Sequence, residues 1–262
     1  MGHNGFAAGC LVLACPRQTE GKPAFMPVNE YNQPIGISLP DWKPAAMPVP
    51  HTLTGRFCRL LPLDAEKHAE GLFAAHQLAA DDRNWTYLPY DRPDTLKAMR
   101  AFLEGLTGSE GFVHFAVLDS QSGKPVGSVA LMRIDPASGV LEIGHVNFSP
   151  RMQRTSASTE VIFLLLSYAF DALGYRRCEW KCDGLNAPSR AAAMRFGFVY
   201  EGTFKNAIVT KGRNRDTDWF TITDQRWPHI RAAFMAWLDA GNFDSDGRQI
   251  RRLGDFFPPE TP

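Results

Sequence analysis

The hydrophobic pattern of this chain switches repeatedly between a period of two and a period of three to four, and each switch marks an element. Arg56 to Leu63 reads as a first strand, and Asp64 caps a helix running to about Ala80, with apolar positions at Ala65, Leu72, Phe73 and Leu78. A second helix is predicted from Pro93 to Leu106, with Pro93 near its start. Three strands follow: Gly111 to Asp119, Lys124 to Ile134 and Val140 to Phe148. The turns between them, 119–123 and 135–139, are short and rich in turn formers, so these strands should be antiparallel neighbours. On the third, alternation sends Leu141 and Ile143 to one side and Glu142, Gly144 and Val146 to the other, with His145 on the core side as a satisfied buried histidine. Gly144 interrupts the strand and marks an expected bulge.

After a polar turn, Ser149 to Ser158, a helix is predicted from Thr159 to Leu173. Ile162, Leu165, Leu166, Ala169, Phe170 and Leu173 recur at helical spacing there, and Phe163 and Leu164 leave little polar face, so it should be buried. Then come a strand (Arg177 to Asp183), a helix (Ala187 to Phe196) ended by Gly197, and two strands (about Phe198 to Thr210 and Asp216 to Thr223). A last helix spans Trp227 to Ala240.

Composition narrows the class. At 262 residues, 44% apolar and 11% aromatic, the chain can bury a sizeable core. Its 28 basic and 28 acidic residues and pI near 7.0 give no global field for nucleic acid or an anionic membrane. The longest nearly apolar run, Val161 to Leu166, is far too short to span a bilayer. The Gly-Cys-Leu-Val-Leu-Ala-Cys stretch within Phe6 to Cys15 lacks a basic flank and is read as no signal; Met26 is a natural alternative start, with the residues before it an over-extended reading frame or a disordered tail. A cytoplasmic location is expected. Pro, Asn, Gly and Asp crowd 27–50, so residues 1–50 are expected to be an extended or disordered arm, with Trp42 as an anchor. Five cysteines, an odd number, argue against a disulfide framework, and Cys178 and Cys182 read as core thiols. No C-x-x-C or histidine cluster suggests a metal.

Candidate chemistry gathers in the turn at Arg151, Gln153, Arg154, Thr155, Ser156, Ala157, Ser158 and Thr159. It stands at the start of a helix, where unpaired N–H groups, two arginines and small side chains suit a pyrophosphate. The alternative is an ordinary Ser/Thr cap with Glu160 in the first turn. Downstream stand Asn186-Ala187-Pro188-Ser189, Phe196-Gly197-Phe198 and Glu201-Gly202.

Together these segments resemble the GNAT superfamily of acetyl-CoA-dependent N-acetyltransferases, in its RimJ/RimL-type branch of ribosomal-protein N-terminal acetyltransferases. Gln153 to Ser158 follows that family's Q/R-x-x-G-x-G/A loop, with Ser156 and Ser158 in place of the small Gly and Gly/Ala positions. The resemblance covers roughly Leu53 to Trp227. It implies an α+β fold, layered α/β/α: a mixed, mostly antiparallel twisted sheet of six to seven strands flanked by helices. The implied organisation is an acetyltransferase domain over 51–227 and a C-terminal helix and tail over 228–262 packed on it.

The resemblance also assigns roles. Val146, Asn147 and Phe148 would pair with the pantetheine amides, Gln153 to Thr159 would hold the pyrophosphate of acetyl-CoA, and Asn186 would bond the pantetheine arm, its alternative being a helix cap. Ser189 would assist the departing thiolate, with Tyr200 as the alternative acid, and Glu142, the acidic residue on the strand facing the site, would be the base, its alternative being an exposed strand glutamate. Trp85, Tyr87 and Tyr90, in an aromatic run that otherwise reads as a hydrophobic plug, would wall the acceptor pocket, together with Asn206, Arg213 and Asp216. The acceptor would be an amine, on a protein N-terminus or a small molecule, reached by direct transfer in a ternary complex; a homodimer is one assembly open to the chain. Two competing readings are a non-catalytic GNAT-fold module that binds an acyl-CoA or a protein, and a structural α/β domain with a fortuitously capped helix.

Overall fold

The computed structural model describes residues 26–258, so the readings for the chain before Met26 lie outside the described residues. The chain forms two units, divided after Trp42. In the first, Asn29 Oδ1 accepts from the N–H groups of Tyr31 and Gln33, and Val28 pairs with Pro34 across that turn.

The second unit carries β1 (Leu53–Thr54), β2 (Cys58–Pro62), α1 (Ala65–His76), α2 (Leu96–Thr107), β3 (Val113–Asp119), β4 (Pro125–Asp135) and β5 (Val140–Phe148). It continues with α3 (Ser156–Ser167), β6 (Arg177–Asp183), α4 (Ala187–Arg195), β7 (Val199–Thr210), β8 (Arg213–Thr223) and α5 (Trp227–Leu238). One eight-stranded sheet runs β1-β2-β3-β4-β5-β6-β8-β7, with β5 and β6 its parallel pair and every other pairing antiparallel. The GNAT-type α+β arrangement is present, with the two-residue β1 taking the sheet beyond six to seven strands.

Alternation on the strands divides the core. Phe115, Val117, Leu141, Ile143, Cys178 and Trp180 face Ile162, Leu165 and Leu166 of α3 and Phe234 of α5. On the opposite face Ala116 and Leu118 meet Leu72 of α1 and Met99 and Leu103 of α2. Helix ends differ from their sequence-based positions. The first helix stops at His76, four residues early, and Leu78 is exposed. The second begins at Leu96, because the Thr95 hydroxyl accepts from Ala98 N–H.

The central helix starts at Ser156, not Thr159. Thr155 is its N-cap, so Ser156, Ala157 and Ser158 form its first turn. It passes into a π-helical turn at Tyr168–Ala172, which aims the Tyr168 hydroxyl at the backbone of Val49. Glu160 is no capping partner. Its buried carboxylate accepts from the N–H groups of Arg56, Phe57 and Cys58 at 2.7, 2.7 and 2.9 Å and so ties α3 to the start of β2.

Two departures at β5 decide where a site can form. The bulge falls on His145, whose backbone is left-handed (φ 49°), and not on Gly144. Gly144 serves close packing, since a Cβ there would lie 2.4 Å from Met132 Sδ. The extra residue shifts the alternation. His145 packs against Tyr90, Phe112 and His114 on the α1/α2 face, and Val146 packs against the α3 core, the reverse of the expected sides for both. The parallel ladder also ends early: Glu142 pairs with Glu179, and beyond them β5 and β6 diverge.

Candidate active site at the divergence of two parallel strands

Where β5 leaves β6, the segment Ile143–Phe148 keeps its ladder to β4 and has no strand partner on its other side among the described residues. A strand edge of this kind offers free N–H and C=O groups to an extended ligand. The segment runs directly into the turn before α3. There Gln153 Nε2 donates to Phe148 C=O at 2.8 Å, closing the turn with its side chain. Arg154 takes the one left-handed position of this turn (φ 61°), so Ser156 and Ser158 need no positive φ. Of the first N–H groups of α3, that of Ser158 is met by the Thr155 hydroxyl, and those of Ser156 and Ala157 precede the intrahelical ladder. Arg151 and Arg154 are exposed beside them.

A third cation comes from outside this segment. Arg195, at the end of α4, donates to the Thr159 hydroxyl at 3.0 Å, and burial lowers its pKa from the usual guanidinium value. Sequence reading misses it, because nothing across the 36-position separation signals that α4 ends against the start of α3. Helix N-terminus, small side chains and three arginines fit a pyrophosphate, and the unpaired β5 edge fits the amides of a pantetheine arm.

On the α3/α4 side of the divergence, Asn186 caps α4, its Oδ1 accepting from Ser189 N–H at 3.1 Å. The Ser189 hydroxyl accepts from Trp180 Nε1 at 3.0 Å and also bonds the Cys182 thiol, which burial pushes up to about 11. Tyr200 hydroxyl lies 2.6 Å from Thr203 Oγ1, which donates to the buried Asp218; Arg190 closes this chain on the other Asp218 oxygen at 2.9 Å.

On the α1/α2 side, Glu142 is buried and not an exposed strand carboxylate. Its Oε2 lies 3.0 Å from Lys181 Nζ and 3.2 Å from Arg133 Nε, and Lys181 also meets Glu179 at 2.6 Å and covers the Trp219 ring. Burial raises the Glu142 pKa against the pull of Lys181. Trp85 is fully packed, in ring contact with His76, Tyr90 and Phe102. Tyr90 is half-buried against Phe102 and His145, and Tyr87 hydroxyl donates to Leu185 C=O.

The β7–β8 hairpin reaches this wall through Lys211, whose Nζ meets Trp85 C=O at 2.9 Å and Asp91 at 2.7 Å. Lys211 looks like any turn lysine in the sequence. Asn206 and Asp216 instead serve their own hairpin. Asp216 accepts from Asn206 N–H, Lys205 and Asn214, which hold its pKa down at about 2, while Arg213 is exposed at the turn. Among the described residues no group of three or more His, Cys, Asp or Glu side chains is placed to hold a metal ion, and no helix is long and apolar enough to cross a membrane.

Comparison with known proteins agrees with this geometry. The model of the acetyltransferase (GNAT) domain family matches residues 58–199, more than half of the chain. The chain is 46% identical to a crystallised GCN5-related N-acetyltransferase from Brucella melitensis, with a TM-score of 0.81 over 83% of this chain and 99% of that one. It is 40% identical to a GNAT-family structure from Chromobacterium violaceum, with a TM-score of 0.69, covering 75% of this chain and 98% of the other. Over 105 residues, 40% of this chain, it is 25% identical to "Putative ribosomal N-acetyltransferase YdaF" of Bacillus subtilis. The matches span 57% of YdaF and 63% of the N-acetyltransferase p20 of Bacillus licheniformis, less than two thirds of each of these curated relatives. From the matched domain, the divergent parallel strands and the capped helix that follows them, this chain belongs to the GNAT family of N-acetyltransferases.

Proposed function

We propose that this enzyme takes its acetyl group from acetyl-CoA and delivers it to a primary amine, on a protein N-terminus such as that of a ribosomal protein or on a small molecule, by direct transfer in a ternary complex. The observation that carries this reading is the unpaired edge Ile143–Phe148 leading straight into the capped start of α3. Val146, Asn147 and Phe148 would hold the pantetheine amides with their backbone. Gln153 to Thr159 and Arg195 would hold the pyrophosphate.

Acetyl-CoA supplies the acetyl group as a thioester; the protein's part is to align it with an amine and stabilise the sulfur that departs. Ser189 suits the second task. Its oxygen accepts from Trp180 while its hydrogen rests on the Cys182 sulfur, and that hydrogen would turn from one sulfur to the other as the thiolate departs. A serine hydroxyl is a poor acid beside a thiol of pKa about 8.5, so Ser189 acts by hydrogen bonding. The Tyr200 hydroxyl, the alternative acid, is engaged with Thr203. Glu142 and Glu179 give the acceptor side carboxylates toward which an ammonium is drawn, and Tyr87 and Tyr90 wall that side. Ser156 and Ser158, which stand at the family loop's small-residue positions, both sit in the first turn of α3, which supports a coenzyme site there.

The test is calorimetry with acetyl-CoA beside an assay for released thiol, using a peptide with an N-terminal serine and spermidine as acceptors. Micromolar binding with thiol release is expected, and Ser189→Ala should lower kcat roughly tenfold to a hundredfold with coenzyme Kd unchanged, the worth of one hydrogen bond to a charged atom. Absence of binding at millimolar coenzyme overturns the reading.

A further inference from the structure

The acceptor side holds a group that neither the sequence motifs nor the reaction scheme above uses. His145 occupies the bulge of β5, three residues past the last rung shared with β6 and immediately before Val146, where the unpaired edge passes toward α3. A left-handed backbone at a non-glycine residue costs energy and is kept where the surroundings impose it, and bulges beside active sites re-aim a side chain. Here the bulge places Gly144 and His145 on the same face as Glu142. The ring of His145 is boxed by Tyr90 at 5.8 Å, Phe112 at 5.3 Å and His114 at 5.5 Å, and its Nδ1 is buried with no hydrogen-bond partner among the described residues. His114, 7% exposed, has an equally unpartnered Nε2. Buried polar atoms are normally paired, so two imidazoles that each keep an unpartnered buried nitrogen beside the divergent strands, one of them on the half-buried His145, call for a role beyond packing.

Glu142, the carboxylate on the same face, is differently placed: it already faces two cations, Lys181 and Arg133. We infer that His145 is the proton acceptor for the incoming amine, with His114 as a positioning residue that fixes its ring; this rests on the acetyl-transfer reading above. The amine N–H donates to the imidazole of the half-buried His145. As the nitrogen lone pair forms the new bond to the acetyl carbon, that proton passes to the imidazole and the carbon–sulfur bond breaks with its electrons on sulfur. The thiolate leaves hydrogen-bonded to Ser189 and takes up its proton from water, to which His145 later returns the one it accepted. The titratable groups packed on His145 are His114 from β3 and Tyr90 from the aromatic loop, with Glu142, Glu179, Lys181 and Arg133 further along the same face. Burial pulls the His145 pKa below the usual histidine value, and that of His114 to about 4, so both are neutral near pH 7 and able to accept.

The test uses the full chain with acetyl-CoA and two acceptors, an N-terminal-serine peptide and spermidine. His145→Asn keeps a residue that tolerates the left-handed backbone and removes the base. It should lower kcat about 100-fold to 10,000-fold at pH 7, leave coenzyme Kd within twofold, shift the acid limb of the kcat/KM profile upward to the pKa of the acceptor amine, and recover activity with added imidazole. Glu142→Gln should cost less and keep the acid limb of the wild type. An unchanged acid limb and a kcat within threefold of wild type in His145→Asn overturn the assignment, and a large loss in Glu142→Gln then moves the base there. A wild type that releases no thiol with either amine is a different failure, because it removes the transfer reading and this one with it.

Discussion

Single residues carry more of this structure than their sequence positions suggest, and Glu160 is the clearest case. In the first turn of a helix a glutamate is ordinarily a solvated partner of the N–H groups or the dipole. Here it crosses to another element and gathers three N–H groups of the β1–β2 turn, where a Cβ on Gly55 would come within 2.3 Å of its carboxylate. Glu160→Gln keeps the shape and loses the charge, and its amide turns a donor toward N–H groups that the carboxylate now meets. Urea unfolding should show a loss of roughly 3 kcal/mol with an unchanged m-value, the scale of charged hydrogen bonds replaced by unmet donors. The neighbouring Cys58 thiol is pushed far up by burial and by this carboxylate, so it is an inert core group.

At the scale of elements, the hairpin β7–β8 acts as a strap. Its turn, Lys211-Gly212, is left-handed at both residues (φ 50° and 71°), the conformation that matches the strand twist, and it delivers Lys211 to Trp85 and Asp91. That tie sets the position of the aromatic wall relative to the strands. Lys211→Met should therefore raise KM for the acceptor about fivefold, equivalent to the ~1 kcal/mol such a pair supplies, and leave acetyl-CoA affinity unchanged. Equal losses in both parameters would place the hairpin outside the acceptor side. The element pattern itself was largely readable: β5 and β6 have their sequence-derived limits, since strong alternation between turn formers leaves little freedom. Helix starts were less so. Thr155 and Thr95 each compete with nearby polar residues for the cap, and the tertiary packing of the following turn chooses between them.

At the level of the whole molecule, histidines buried on the α1/α2 side of the sheet should make stability depend on pH. His76 and His114 are both buried on the α1/α2 side, their pKa values pulled down to about 4 by loss of water, aided by Arg92 at His76 and by His145 at His114. In the unfolded chain each would titrate near 6.5. Between those values the unfolded state binds protons that the folded state refuses, so stability is full above pH 6.5 and falls as pH drops toward about 4. The Tm should decline steadily from pH 7 to pH 5, and His76→Leu should flatten part of that slope; an identical slope in the variant would place the proton uptake elsewhere. The sequence by itself determined the order of elements, the buried central helix, the core thiols and the two segments that mark the family, because these depend on local periodicity and on near-neighbour chemistry. Tertiary structure alone decided that β5 and β6 part after Glu142 and Glu179, that a one-residue bulge exchanges the sides of His145 and Val146, and that Arg195, Lys211 and Glu160 reach partners 36, 126 and about 100 residues away. The physical reason is the same in each case: ladder register and long-range side-chain partners are set by how packed elements meet, and a single inserted residue reverses every later position on a strand.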